Sequence, residues 1–369
     1  MKRIFVLMLA LVLAGGFVFA NGGQEGDSDK VVIGALIRNT DEQFVADYAA
    51  NLKLLAENAG VTLKLQDSRG DMAMQLDQMN TLLSQGVKYF VIVSNTTEAT
   101  ADMAKAINAK GGGAAFSNIQ PSVDALKVGP NFYLASSPES VAGQIQAKIL
   151  VDYFKAHPEK MKNGDPDAID AICIYGQLGH PAQVYRTNAV LGGIKDAGYK
   201  LNIVAEDTAN WKPDEAQQKM DTWLSAYSGQ FDVVIANNDG MALGAVESLL
   251  THKYTDDPND PTVDLDGDGI VLSVPVVGVD ATQVAVTSMA EKKLYATVLQ
   301  DAKGQSQTAF DLAYMMATEG SATGKPAGGI TPLTSPIAES PADDPAVIGQ
   351  CYLVPFKAVT MDNYKDFLE

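Results

Sequence analysis

Phe231-Asp232-Val233-Val234-Ile235-Ala236-Asn237-Asn238-Asp239-Gly240 is the stretch on which the fold turns. Its first six residues make a short apolar run, β-branched in the middle, the composition of a strand buried in a parallel sheet. Three polar residues and a glycine break the run. Ala242, Ala245, Val246, Leu249 and Leu250 then recur at helical spacing, one apolar stripe facing a sheet. In an open α/β sheet, ligands sit just beyond the carboxyl ends of the strands. Asn238 and Asp239 stand at that place and offer amide donors and carboxylate acceptors. Asn and Asp also cap helices well, and for one isolated turn the cap is the simpler reading. The other strand ends decide.

Strands and helices alternate on both sides of this unit. Towards the N-terminus, strands read at 31–37, 61–65, 89–93 and 114–116, with helical stripes at 44–59, 72–83 and 99–109 between them. A helix at 140–153 and a polar segment broken by Pro158, Gly164 and Pro166 follow. The alternation then restarts with strands at 169–175 and 201–206 and helices at 182–197 and 214–225. Beyond the opening unit come a strand at 276–279, a helix through Lys292, a strand at 295–299 and a helix at 305–318. Residues 319–345, rich in Pro, Gly, Ala and Ser, read as a long surface connection. A short strand at 352–354 and a terminal helix end the chain.

Strict alternation means parallel sheets with right-handed crossovers, and 369 residues exceed one compact core. The expected fold is therefore α/β, with two Rossmann-like lobes, parallel sheets and a multi-strand hinge. Residues 31–137 plus 301–345 are assigned to the first lobe, and 138–300 plus 346–369 to the second.

Lys2-Arg3, an apolar run and a small-residue end at Val18-Phe19-Ala20 have the form of a secretory signal, with cleavage expected after Ala20. Residues 21–30 read as a flexible leader. No cysteine precedes Val31, so no thiol is offered to lipid, and export to the periplasm is expected. The formal charge of −18 becomes −20 without Lys2 and Arg3. Such acidity repels nucleic acid and anionic lipid but names no ligand. Cys173 lies in an apolar strand and reads as a buried structural thiol; export permits a bridge to Cys351 but does not show one.

The residues just past the strands make a consistent list. It comprises Glu42 and Phe44, Ser94 and Asn95, Ser117 and Asn118, His180 and Arg186, Trp211, Asn238 and Asp239, Asp280, and Gln300 and Asp301. Carboxylates and amides suit hydroxyls that donate and accept, while Phe and Trp cover the flat C–H faces of a sugar. Each residue has a duller explanation alone, as core, cap or surface ion pair. Their shared place at strand ends is the informative feature.

At this point the chain resembles the periplasmic D-galactose/D-glucose-binding proteins among the type I sugar-binding proteins, from about Val31 to the C-terminus. The likeness is carried by Gly179-His180-Pro181, Asp207-Thr208-Ala209-Asn210-Trp211, Lys219-Met220-Asp221-Thr222-Trp223-Leu224-Ser225, Val234-Ile235-Ala236-Asn237-Asn238-Asp239, Val277-Gly278-Val279-Asp280 and Thr297-Val298-Leu299-Gln300-Asp301-Ala302. The resemblance implies two lobes closing on a monosaccharide, with Phe44 and Trp211 on its two faces. It carries over His180, Arg186, Asn238 and Asp280 as hydrogen-bonding residues. It also implies delivery to an ABC permease by a monomer, and leaves open whether a chemoreceptor reads the closed form. This chain departs from the family in having Glu42 for an Asp, Ala182 for another Asp, and Gln300 for an Asn. Ser94 or Asn95 must stand in for a third-strand Asn. The expected ligand set is Glu42, Phe44, Asn95, His180, Arg186, Trp211, Asn238, Asp280 and Gln300.

Asp264-Leu265-Asp266-Gly267-Asp268-Gly269-Ile270 matches the start of an EF-hand loop, with carboxylates at positions 1, 3 and 5 and Gly at 6. Calcium is expected on Asp264, Asp266, Asp268 and the Ile270 carbonyl. Position 12 is Pro275, so a carboxylate from elsewhere must complete the shell. A solvated acidic loop is the competing reading. An enzyme is disfavoured: the three histidines form no His-Glu-x-x-His, no Gly-x-Ser-x-Gly elbow occurs, and the glycines at 320–324 are followed by Pro326 rather than a phosphate loop. A receptor for a nucleoside or signalling furanoside is the alternative, since aromatic stacking serves a purine equally.

Overall fold

The computed structural model describes residues 30–162 and 164–368. The proposed signal, its cleavage site and all but the last residue of the leader lie outside the described residues. In chain order the first lobe is built from β1 (Val32–Ile37), α1 (Gln43–Asn58), β2 (Thr62–Asp67), α2 (Met72–Ser84), β3 (Tyr89–Ile92), α3 (Thr100–Asn108), β4 (Gly113–Ser117), α4 (Val123–Lys127) and β5 (Phe132–Ser136). The second follows with α5 (Glu139–Ala156), β6 (Ala168–Tyr175), α6 (Pro181–Asp196), β7 (Lys200–Thr208), α7 (Pro213–Tyr227), β8 (Val233–Ala236), α8 (Asp239–Thr251), β9 (Val276–Val277), α9 (Gln283–Ala290) and β10 (Thr297–Leu299). The chain finishes with α10 (Ala302–Glu319), β11 (Cys351–Leu353) and β12 (Lys357–Val359).

Two sheets result. The first has the order β11-β5-β4-β3-β1-β2 and the second β7-β6-β8-β9, with every pairing in both parallel. Each sheet is buried on both faces, as parallel sheets require. In the first, α1 and α10 cover one face and α2, α3 and α4 the other. In the second, α5 and α6 oppose α7, α8 and α9. The opening strand, β8, is buried along its whole length between β6 and β9.

The chain passes between lobes at 137–138, 300–301 and 354–356. The first two crossings are tied together where Gln305 Nε2 donates to Ser137 Oγ at 2.7 Å. The connection ahead of β11 also reaches across. Glu339, nearly fully buried, accepts from the Glu139 and Ser140 amides at 2.8 and 2.6 Å, which places a carboxylate on the N-terminus of α5.

Several expectations change. Residues 346–353 do not belong with the second lobe: β11 pairs in parallel with β5, Cys351 opposite Leu134. β12, antiparallel to β10, and the segment after it, where Gln283 Nε2 donates to the Phe367 carbonyl at 2.8 Å, return to the second lobe. A three-residue apolar run says nothing about which sheet it will join. β5 went unassigned although Phe132-Tyr133-Leu134-Ala135 is apolar, and it is wholly buried. The terminal helix is a single 3₁₀ turn at Tyr364–Phe367. Cys173 and Cys351 sit in different sheets as buried free thiols, and burial pushes both up to about 12.

Helices α5 and α6 approach closely through small residues. A Cβ on Gly143 would lie 2.3 Å from the Arg186 carbonyl oxygen, and one on Gly193 would lie 2.7 Å from the Ala147 Cβ. Gly143→Val must therefore push the helices apart, an overpacking worth about 1–3 kcal/mol. Chemical denaturation should show that loss; an unchanged midpoint would mean the helices separate freely.

Candidate ligand-binding site

The carboxyl ends of β1, β4, β6, β7, β8 and β10, with the turn after β9, surround one cavity of about 240 Å³ between the lobes. Arg38, Glu42, Phe44 and Asn118 face it from the first lobe. His180, Arg186, Trp211, Asn238, Asp280 and Gln300 face it from the second, with Ala182 and Leu243 as apolar wall. Eight of the nine expected ligand residues thus meet here.

Asn95 does not. Its side-chain amide donates to Ser68 Oγ at 2.8 Å and its backbone N–H to Gln75 Oε1 at 3.0 Å, so it fastens the loop after β3 to α2. The first-lobe amide in the cavity is Asn118, directly after β4 and held at φ 61°, a conformation Asn tolerates better than most residues. The strand-end list contained it. Arg38, the residue after β1, was missed, though the same rule would have found it.

Arg186 anchors the second-lobe half. Its Nε donates to Glu139 at 2.7 Å, Nη1 to the Asn237 carbonyl at 2.8 Å and Nη2 to Gln300 Oε1 at 2.9 Å. Gln300 Nε2 returns to Glu139 at 3.4 Å. Glu139 was not legible as a site residue, because it reaches Arg186 from the start of α5, far away in sequence. Asp280 stands 3.8 Å from Arg186 Nη1. Burial pushes Asp280 well above the usual carboxylate range, against the pull of Arg186 and with help from Asp239 and Glu139. Glu42, ion-paired to Arg38, is also raised by burial.

Trp211 lies with its indole on Gly176, where a Cβ would sit 2.1 Å from the ring. It meets the His180 ring edge-on at 5.0 Å, and its own backbone is left-handed at φ 68°. His180 caps α6: Nδ1 accepts from the Ala182 N–H at 3.1 Å, so a neutral ring carries its proton on Nε2. Neutrality is enforced by burial first, then by Arg38 and Arg186, which hold the imidazole well below its ordinary value. Asn238 caps α8 by accepting from the Met241 N–H at 3.0 Å, and it also lines the cavity. Asp239 turns away, bonding Thr297 Oγ1 at 2.5 Å and the Thr282 N–H at 2.8 Å; burial raises it to about 6.

Four buried polar atoms of cavity-lining residues have no protein partner: Arg38 Nε, Asn118 Oδ1, His180 Nε2 and Trp211 Nε1. Buried polar atoms are almost always bonded. Three donors and an acceptor are thus held beside two carboxylates.

The acidic loop is elsewhere in the second lobe. Carboxylate oxygens of Asp264, Asp266 and Asp268 lie within 4.8 Å of one another and of one from Asp256. Lys160 Nζ is 2.6 Å from both Asp266 and Asp268, and Lys292 is 3.1 Å from Asp264. Ile270 is buried, its N–H donating to Asp268 at 3.0 Å.

Two parallel-sheeted lobes with a polar, aromatic-walled cavity at their strand ends define a solute-binding protein. The sequence profile of the periplasmic binding protein domain matches residues 33–322, and the chain belongs to that family, in its type I sugar-binding branch. It is 28% identical to the D-galactose/methyl-galactoside binding periplasmic protein of Haemophilus influenzae over 79% of this chain and 83% of that one. It is 30% identical to a putative rhizopine-binding protein of Rhizobium meliloti over 77% and 80% of the two chains. Among solved structures, an ABC transporter solute-binding protein of Bacillus halodurans with bound myo-inositol superposes with a TM-score of 0.69 at 25% identity, covering 93% and 98%. These are binding proteins, and this chain is not an enzyme.

The buried carboxylates set a pH signature. Asp280 holds its proton more tightly in the folded protein than in the unfolded chain, so its ionisation above about pH 4 works against folding. Ligand-free Asp280→Asn should therefore melt higher than the parent at pH 7. The gap should narrow as pH falls through the raised pKa and Asp280 protonates itself. Scanning calorimetry across pH 4–8 checks this; a gap that widens on acidification contradicts it.

Proposed function

We propose that this is an exported, monomeric periplasmic protein that encloses one galactose- or glucose-like monosaccharide and presents it to an ABC permease. The observation that carries the reading is the set of unpartnered buried atoms on Arg38, Asn118, His180 and Trp211, beside the two carboxylates. Each hydroxyl of a ring polyol can accept from such a donor while donating to Glu42 or Asp280. Phe44 and Trp211 supply apolar cover for the C–H faces. The relatives named for galactosides and the structure holding myo-inositol support a hydroxylated six-membered ring. Because the two lobes each hold part of the set, ligand favours the closed form by its extra contacts there.

Titration calorimetry of the mature protein against hexoses, pentoses, myo-inositol and nucleosides tests the assignment. A hexose-sized polyol should bind with a Kd on the order of 1 μM, about −8 kcal/mol. Tight binding of a purine nucleoside with none of any sugar or cyclitol would overturn it.

The acidic loop is proposed to hold calcium through Asp256, Asp264, Asp266, Asp268 and the Ile270 carbonyl. Support comes from the convergence of the four carboxylates and from Asp256, whose buried Oδ2 has no partner. Burial, with the neighbouring Asp266 and Asp268, raises Asp256 to about 6 against the pull of Lys160. An oxygen-rich set of this charge suits a hard divalent cation, and Lys160 must swing out to admit it. Melting should then rise with calcium, about 2.7 kcal/mol of stabilisation at a hundred times Kd. Asp266→Ala should abolish the rise; indifference to calcium and chelator would leave Lys160 as the loop's permanent cation.

A further inference from the structure

We propose that Glu339 is a positioning residue for the binding cavity: reaching over from the connection packed on the first lobe, it caps α5 and through Glu139 holds the Arg186 guanidinium in place for the ligand. Helix α5 starts at the first interlobe crossing. The residue ahead of it, Pro138, has no side-chain group to accept from the orphan amides of the first turn. Glu339 supplies that cap from 200 residues further along the chain. Its Oε2 accepts from the Glu139 N–H at 2.8 Å and its Oε1 from the Ser140 N–H at 2.6 Å. The capping residue is itself anchored on the first lobe from both sides. Before it, Leu333 and Ile337 pack in the first-lobe core, and the Leu333 N–H donates to the Cys351 carbonyl at 2.9 Å. After it, Ala342 and Val347 pack in the same core, and Asp344 pairs with Lys127 at 2.6 Å.

What the cap holds is the partner of the cavity's buried cation. Glu139 is the first residue of α5, and its fully buried carboxylate accepts from Arg186 Nε at 2.7 Å. Its backbone is thus fixed by Glu339 and its side chain by Arg186. The Ser340 N–H donates to Tyr185 Oη at 3.1 Å, so the same tip also touches the α6 residue next to Arg186. Without Glu339 the first turn of α5 loses both acceptors, and buried amides left unpaired favour fraying of that turn. The Glu139 carboxylate then moves with the turn. Arg186, which faces the cavity beside Asp280, loses the bond that fixes its Nε edge. Its bonds to Asn237 and Gln300 remain, so the guanidinium is displaced rather than released.

Without Arg3 the chain has three arginines, Arg38, Arg69 and Arg186, so an NMR spectrum of its arginine Nε–H groups holds three signals. Arg38→Lys and Arg69→Lys assign Arg186 by elimination. The test compares the mature protein with Glu339→Gln, which keeps one acceptor, and Glu339→Ala, which keeps none. Without ligand, the Arg186 Nε–H signal should shift and exchange with water several-fold faster, more so in Glu339→Ala. Calorimetry with D-galactose, D-glucose and myo-inositol, an arm that rests on the polyol reading above, should show the Kd of whichever binds rising about two- to thirtyfold. Glu339→Gln serves alone if Glu339→Ala folds poorly. A lower denaturation midpoint with the Arg186 signal and Kd unmoved would make Glu339 a helix cap only and overturn the proposal. A shifted signal with Kd unchanged would overturn it as well. Failure of all three polyols to bind the parent would overturn the polyol reading, and the ligand-free Arg186 signal would still decide whether Glu339 positions the guanidinium.

Discussion

The structure depends on holding Arg186 charged in the interior. A buried guanidinium without partners would destabilise the protein by several kcal/mol, and breaking such a pair exposes the remaining charge to that penalty. Glu139 from α5, the carbonyl at the end of β8 and Gln300 at the end of β10 supply the partners. Three elements of the second lobe are therefore fixed at one point beside two of the interlobe crossings. Glu339, from the connection that otherwise packs on the first lobe, seals the start of the same helix. The charge that orients the cavity also organises the hinge around it.

The cavity is correspondingly strained. Asn118, Trp211, Asp280 and Ala281 all hold left-handed backbone, and several buried carboxylates are kept above their ordinary range. Backbone of this kind persists only where the surroundings over-determine it. Here they do: Trp211 is wedged on Gly176, and Asp280 is clamped by bridges to Leu299 and by the Val298 carbonyl. Each lobe therefore carries its share of the site on backbone that the surrounding packing holds in place.

The chain by itself determined the alternation of strand and helix, hence two parallel sheets and the rule that chemistry gathers at strand ends. That rule gathered the strand-end residues, and the family resemblance picked Glu42, Phe44, His180, Arg186, Trp211, Asn238, Asp280 and Gln300 from among them, because period and turn chemistry are local properties of the sequence. Asn95 shows the limit. Three residues past a strand the chain can turn either way, and only packing against α2 decided that it faces Gln75 and Ser68 rather than the cavity. Partners distant in sequence were invisible for the same reason: Glu139 to Arg186 and β11 to β5. Each is a non-local pairing between short elements whose own residues are compatible with several neighbours. Burial and hydrogen-bond satisfaction across the whole fold select the one arrangement, and no local pattern in the sequence records that choice.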